Sequence, residues 1–158
     1  MTGEPSAAQD RVSGAAGDPV ESLYRDVILE HYRRPHHRSR LATPEATAQV
    51  RNPLCGDAVE VEIRLERGRI AELCSRAMGC SIVVAAGSLM GDVACGREPG
   101  EVLRMARLLE ARIRAEPGVE GAGELDPRLV PLLRIAAAPA RQRCALLPWE
   151  ALCEALGA

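Results

Sequence analysis

The sequence predicts an α+β fold, in which a small antiparallel three-stranded sheet carries helices packed on one face. Two observations lead to this prediction. Residues 59–65 alternate strictly between apolar and charged side chains, which is typical of a half-buried strand. A helical pattern precedes this segment and several helical patterns follow it, and this order favours helices covering one side of a single sheet. At 158 residues the chain is long enough to bury a core.

The first helix is predicted over residues 19–34. Asp18 is a good N-cap, and Pro19 suits the first helical position because that position needs no N–H. Apolar residues recur with helical spacing until Pro35, which ends the pattern. Residues 1–18 are rich in Gly, Ala and Ser and are predicted to form a disordered tail ahead of one domain, residues 19–158.

A β-hairpin is predicted next. The alternating strand ends near Glu66, Arg67 and Gly68 form a tight turn, and residues 70–75 return as the partner strand. Residues 48–51 give a short third strand. These segments together predict the antiparallel sheet.

Four more helical segments are predicted after the sheet. They cover residues 80–93, 99–115, 127–138 and 144–156, and the third is weakened by Pro131 inside it. The Gly-rich, acidic stretch 118–126 is predicted to be a loop.

Composition restricts the possible functions. All 20 basic residues are Arg, so no lysine is present to form a Schiff base, and the net charge of −2 argues against a broad nucleic-acid surface. No apolar run reaches the length of a membrane span, and the N-terminal residues lack the features of a signal peptide. We therefore expect a cytoplasmic protein with reduced cysteines, for which metal binding or catalysis is favoured over disulfides.

Three cysteines lie where a loop is predicted to meet a regular element. Cys55 and nearby Asp57 precede the predicted hairpin, whereas Cys80 and Cys144 each open a predicted helix, where the helix dipole would favour a thiolate. Three thiolates and one carboxylate could form a four-coordinate zinc site. Spacing alone leaves this open, because a free cysteine is more often a small buried apolar residue.

The remaining cysteines and the histidines are assigned structural roles. Packing is expected for three cysteines: Cys74, Cys95 and Cys153. His31 lies on the apolar face of the first helix and is expected to be a structural histidine. His36 and His37 lie in a basic loop and are expected to be solvated, with a place in a partner surface left open as the alternative.

Several segments of the chain resemble the IscU/SufU/NifU N-terminal family of iron–sulfur cluster assembly proteins. The segments are LYRDVILEHY from residue 23, NPLCGD from residue 52, GCSI from residue 79 and RCALLPW from residue 143. The SufU-type branch fits best, because Arg143 occupies the position where IscU-type scaffolds carry a histidine. SufU-type proteins also have an insertion between the second and third cysteines, which here corresponds to about residues 117–133.

The resemblance implies an α+β fold with zinc bound by Cys55, Asp57, Cys80 and Cys144. It implies a sulfurtransferase rather than a classical small-molecule enzyme. In this role Cys55 accepts persulfide sulfur from a SufS-type cysteine desulfurase. Arg141 supports the site or docks the partner. The resemblance leaves open whether a SufBCD-type scaffold is a further partner. The alternative is a scaffold on which the same residues hold a [2Fe–2S] or [4Fe–4S] cluster. We expect a monomer with no nucleic-acid or membrane partner.

Overall fold

The computed structural model describes residues 18–119 and 123–158. The predicted α+β fold with three antiparallel strands is confirmed. The elements run in chain order as α1 (Pro19–Arg33), β1 (Ala46–Arg51), β2 (Ala58–Glu66), β3 (Arg69–Met78), α2 (Ser81–Ala94), α3 (Pro99–Ile113), a 3-10 helix (Pro127–Ala137) and α4 (Pro139–Ala155).

Three predictions concern residues at or beyond the limits of the described ranges. Asp18 caps α1 as expected, since its carboxylate accepts a hydrogen bond from the Val20 N–H at 3.0 Å. The predicted disordered tail lies outside the described residues except for Asp18, and residues 120–122 of the predicted insertion also lie outside them. The single-domain boundaries therefore stay a prediction. No helix in the described part of the chain is both long and apolar enough to cross a membrane.

The sheet has the order β1-β2-β3, and both neighbouring pairs are antiparallel. Arg67 and Gly68 form the predicted turn between β2 and β3, with φ values of 51° and 73°. Positive φ at both central residues is the geometry that matches the twist of a two-residue hairpin. The register pairs Val59 with Val50 on one side and with Ala77 on the other.

The two faces of the sheet differ because the side chains of β2 alternate. Val59, Val61 and Ile63 are buried in the core, where α2 packs on β3 and α4 packs on β1 and β2. On the opposite face, the Arg40 guanidinium pairs with Glu60 at 3.0 Å and with Glu62 at 2.8 Å. Helices therefore cover one face, and an arginine from the loop before β1 covers charges on the other.

The core is almost entirely aliphatic, as a chain without Phe requires. Trp149 is the one tryptophan of the chain, and it is buried on α4. Helix α2 is buried along nearly its whole length, which is typical of a helix that is apolar on all sides. Gly87 lets α2 approach β3, because a Cβ at this position would lie 2.7 Å from Ser75 Oγ.

The predicted start of the last helix at Cys144 is wrong. Helix α4 begins at Pro139, where a missing N–H costs nothing, so Cys144 lies in the second turn. The expected stabilisation of a Cys144 thiolate by the helix N-terminus therefore does not apply, since that effect is confined to the first turn. Pro148 inside α4 also lacks the N–H that would bond the Cys144 carbonyl four residues earlier.

Asp126 attaches the 3-10 helix to the segment that follows α2. Its side chain is 7% exposed and pairs with Arg97 at 2.8 Å and with Arg128 at 2.9 Å. The Arg128 guanidinium, together with the Arg128 backbone N–H and the charge of Arg97, lowers the pKa of Asp126 to about 2 against the opposing effect of burial.

We expect Asp126→Asn to lower the free energy of unfolding at pH 7 by about 1–2 kcal/mol. Asn keeps an N-cap acceptor for the Arg128 N–H, so the substitution removes mainly the charge. Because the folded-state pKa is depressed, this stabilisation is present above the unfolded pKa of about 4 and is lost as the pH falls towards about 2. Urea unfolding across this range tests it, with exposed Glu116→Gln as control. An equal decrease in the free energy of unfolding at pH 7 and at pH 2 would contradict a charge effect.

Candidate metal centre

The loop between β1 and β2 is closed by hydrogen bonds at its base. The Asn52 N–H donates to the Asp57 carbonyl at 2.8 Å, and the Gly56 N–H donates to the Asn52 carbonyl at 2.9 Å. Gly56 has φ 74°, a conformation that glycine adopts without strain. This closure fixes Cys55 and Asp57 at one end of the sheet.

The four residues considered as metal ligands come together at this end of the sheet. One donor atom each of Cys55, Asp57 and Cys144 lie within 4.8 Å of one another. Cys80 is the N-cap residue of α2, and its Sγ lies 3.7 Å from Asp57 Oδ2. Cys144 lies close enough to both Asp57 and Cys80 for these two groups to raise the pKa of its thiol. A loop, the start of α2 and the second turn of α4 thus each supply part of one cluster.

Gly79 makes room for the carboxylate at the centre of this cluster. Its φ is 149°, and a Cβ placed on it would overlap the Asp57 carboxylate. Only a residue without a side chain lets the end of β3 pass this close to Asp57.

Exposure divides the cluster into an inner and an outer part. Asp57 is 4% exposed and Cys144 is 5% exposed, Cys80 is partly buried, and Cys55 is exposed. Cys55 is therefore the one member of the cluster whose thiol is open to a large partner.

The electrostatics of the inner part favour a cation. Within residues 18–119 and 123–158, no arginine or histidine forms an ion pair with the Asp57 carboxylate, although an unpaired buried charge is costly. Burial raises the pKa of the Cys144 thiol, and the hydrogen bonds and charges of Asp57 and Cys80 raise it further. Three sulfur donors and one oxygen donor fit a tetrahedral zinc ion, whose charge would offset both effects.

The two arginines near Cys144 lie outside this cluster. Arg141 is the third residue of α4, and its side chain is exposed one turn before Cys144. Arg143 is exposed and lies 3.7 Å from Glu150 on the same helix. The position before Cys144 therefore supplies no donor to the site.

The expected packing role of the other cysteines is confirmed. Cys74 is buried, and Cys95 and Cys153 pack against the core. His31 is a hydrogen-bonded helix residue as predicted, because its Nδ1 lies 2.7 Å from Ser88 Oγ.

The prediction that His36 and His37 are solvated is confirmed for His36, which is exposed, but not for His37, which is partly buried. Both imidazoles contact the Asp92 carboxylate at 2.8 Å. The histidines and Asp92 are 55 and 56 residues apart in the chain, so no local pattern could have indicated this contact.

Residues 23–116 match the family model described as the NifU-like N-terminal domain. The chain belongs to this family. The Iron-sulfur cluster assembly scaffold protein IscU of Streptococcus pyogenes serotype M1 is 32% identical over 139 residues, covering 87% of this chain and 84% of that protein. The Zinc-dependent sulfurtransferase SufU of Bacillus subtilis is 28% identical and covers 84% and 88% of the two chains.

A solved structure gives the same fold. The N-terminal NifU-like protein of Brucella abortus matches with a TM-score of 0.75 and 20% identity, covering 87% of this chain and 94% of that one. The predicted IscU/SufU/NifU family is thereby confirmed, and the similarity to the Bacillus protein supports the SufU-type branch.

We expect Gly79→Ala to weaken zinc binding at least about tenfold, because the new methyl group displaces the Asp57 carboxylate. Competition with a chromogenic chelator measures the affinity. Gly68→Ala is the matched control: Gly68 also has a positive φ, but a Cβ there meets nothing within 4 Å. Equal zinc affinity in the two variants would show that contact with Asp57 is irrelevant.

Proposed function

We propose that this protein acts in iron–sulfur cluster assembly as a zinc-dependent sulfur carrier, accepting persulfide sulfur on Cys55 from a SufS-type cysteine desulfurase. The observation that carries the proposal is the exposure of Cys55 beside three buried or partly buried donor residues: Asp57, Cys80 and Cys144. This arrangement leaves one thiol accessible while the others can retain an ion. The name of the Bacillus relative, which is a zinc-dependent sulfurtransferase, agrees with this reading.

The transfer is a thiol–disulfide type of exchange. The Cys55 thiolate attacks the terminal sulfur of the persulfide on the desulfurase, so a new S–S bond forms on Cys55. The S–S bond of the donor breaks, and the electron pair leaves with the desulfurase cysteine as a thiolate. Zinc, when bound, keeps the Cys55 sulfur deprotonated at neutral pH.

Apolar residues beside the site support docking of a protein partner. Leu54, directly before Cys55, is 92% exposed, and Met78, directly before Gly79, is 67% exposed. We propose that the desulfurase covers both side chains when its persulfide reaches Cys55. Arg141 is exposed one turn from Cys144 and is proposed to contact the same partner or to support the site.

A cluster scaffold is the second candidate function. Thiolates bind iron–sulfur clusters as well as zinc, and the Streptococcus relative is named as such a scaffold. The pairing of Arg143 with Glu150 favours the carrier, because the position that holds a histidine in IscU-type scaffolds provides no ligand here.

We expect Cys55→Ala to abolish stimulation of the desulfurase and to leave no persulfide on this protein. Loss of the accessible thiol removes the nucleophile, whereas the three remaining donors retain measurable zinc. The assay measures cysteine turnover by the desulfurase with and without anaerobically purified protein, together with metal content. Cys153→Ala is the control, since Cys153 packs against the core away from the cluster.

Two results would contradict the carrier function. One is full stimulation by the Cys55→Ala variant. The other is a transferable, coloured cluster on anaerobically purified wild-type protein that does not stimulate the desulfurase.

We expect Leu54→Asp to raise the protein concentration needed for half-maximal desulfurase stimulation at least about tenfold, because the apolar contact is replaced by a charge. Zinc content and maximal stimulation should remain those of the wild type, since Leu54 supplies no donor atom. Leu23→Asp, also at an exposed position but on α1, is the matched control. A variant at Leu54 that behaves like this control would place the docking surface elsewhere.

A further inference from the structure

A second group of potential metal ligands lies near the C-terminal end of α2, where the loop after α1 passes beside β3. His31 near the end of α1, His36 and His37 in the following loop, and Asp92 on α2 form this histidine cluster. One donor atom each of His31, His36 and Asp92 lie within 4.8 Å of one another. The imidazole rings of His31 and His36 are 4.9 Å apart between centroids.

The donor atoms are close to the spacing that one ion requires. With ligand bonds of about 2.0–2.1 Å, neighbouring donors are about 2.8–3.0 Å apart on an octahedral ion and about 3.3–3.4 Å apart on a tetrahedral ion. His36 Nδ1 lies 2.8 Å from Asp92 Oδ2, so this pair needs to open only slightly. The separation between His31 and His36, which is within the 4.8 Å limit, can shorten by rotation of His36, whose side chain is 55% exposed.

The surrounding residues hold the cluster in place. The Ser88 hydroxyl, which is buried, contacts His31 Nδ1 at 2.7 Å and accepts a hydrogen bond from the His36 backbone N–H at 2.8 Å. A partner on one ring nitrogen fixes the orientation of an imidazole and leaves the other nitrogen for a metal.

His37 orients the carboxylate from the opposite side. Its Nε2 contacts Asp92 Oδ1 at 2.8 Å, while Asp92 Oδ2 faces His36. The His37 ring packs on α2 at Gly91, where a Cβ would overlap the ring. The loop can therefore bring two imidazoles to Asp92 because α2 carries a glycine at this turn.

Burial lowers the pKa of His31 from its ordinary value. Hydrogen bonds from His36 and His37 lower the pKa of Asp92 in spite of the opposing effect of burial.

We propose that His31, His36 and Asp92 form a second metal site, which binds a divalent first-row transition metal ion through two imidazoles and one carboxylate. His37 is its positioning residue. Two histidines and one carboxylate with open positions suit Fe²⁺ or Zn²⁺ and contain none of the thiolate donors of the first centre. The ion takes the place of the contact between His36 Nδ1 and the Asp92 carboxylate.

This site is separate from the first centre. Cys80 and Asp92 mark the two ends of α2, and 12 residues of helix at 1.5 Å per residue place them about 18 Å apart. A single ion cannot contact both groups, so the two centres can be filled and counted independently.

The test uses the untagged full-length chain, stripped of metal and loaded with one equivalent of Zn²⁺ for the thiolate centre. Co²⁺ is then added, and bound cobalt is counted by equilibrium dialysis and followed by visible absorption. We expect one further equivalent to bind with d–d bands but without thiolate-to-cobalt charge transfer. His36→Ala should weaken this second equivalent at least about tenfold, and Asp92→Asn should do the same.

Glu30→Gln is the matched control, because Glu30 is an exposed carboxylate on α1 next to His31. It should bind the second equivalent like the wild type. Because His36 is exposed, its removal leaves the core intact, and circular dichroism verifies this. The proposal is overturned if wild type binds no second equivalent, if His36→Ala binds it equally well, or if charge transfer shows the cobalt on cysteines.

Discussion

The burial of the Asp57 carboxylate is the constraint on which the arrangement of the first centre depends. A carboxylate can lie at this depth only if the neighbouring backbone gives it room, and Gly79 provides that room. The closed loop from Asn52 to Asp57 then fixes the position of Cys55, and the same glycine precedes Cys80 at the start of α2. Three segments that are distant in sequence therefore meet around one negative charge.

Helix α2 connects the functional regions of the molecule. Its apolar sides pack on the sheet, α1 and α4, which leaves its two ends as the places where polar groups gather. Cys80 caps one end, and Asp92 receives the two loop histidines near the other. Small residues along the helix, Gly87 and Gly91, allow close approach of β3 and of the loop.

The sequence was sufficient for those parts of the fold that depend on local patterns. Alternation in β2, the Arg67-Gly68 turn and the Asp18-Pro19 helix start are each determined by neighbouring residues. The start of α4 was misplaced because its first turn, from Pro139 to Gln142, has no apolar periodicity that separates it from a loop. Residue spacing alone did not establish that the four candidate ligands share one metal. The family resemblance was what grouped them. Contacts to Asp92 depend on tertiary packing, which no spacing rule reveals.

The aliphatic core has a practical consequence for following this protein in solution. Trp149, the only tryptophan, is buried on α4 five residues after Cys144, and both tyrosines lie on α1. Emission excited at the red edge of the absorption band thus comes from one indole inside one helix. Its wavelength and intensity report directly on the packing of α4, without any introduced label. The chain carries its own fluorescent probe next to the segment that bears Cys144.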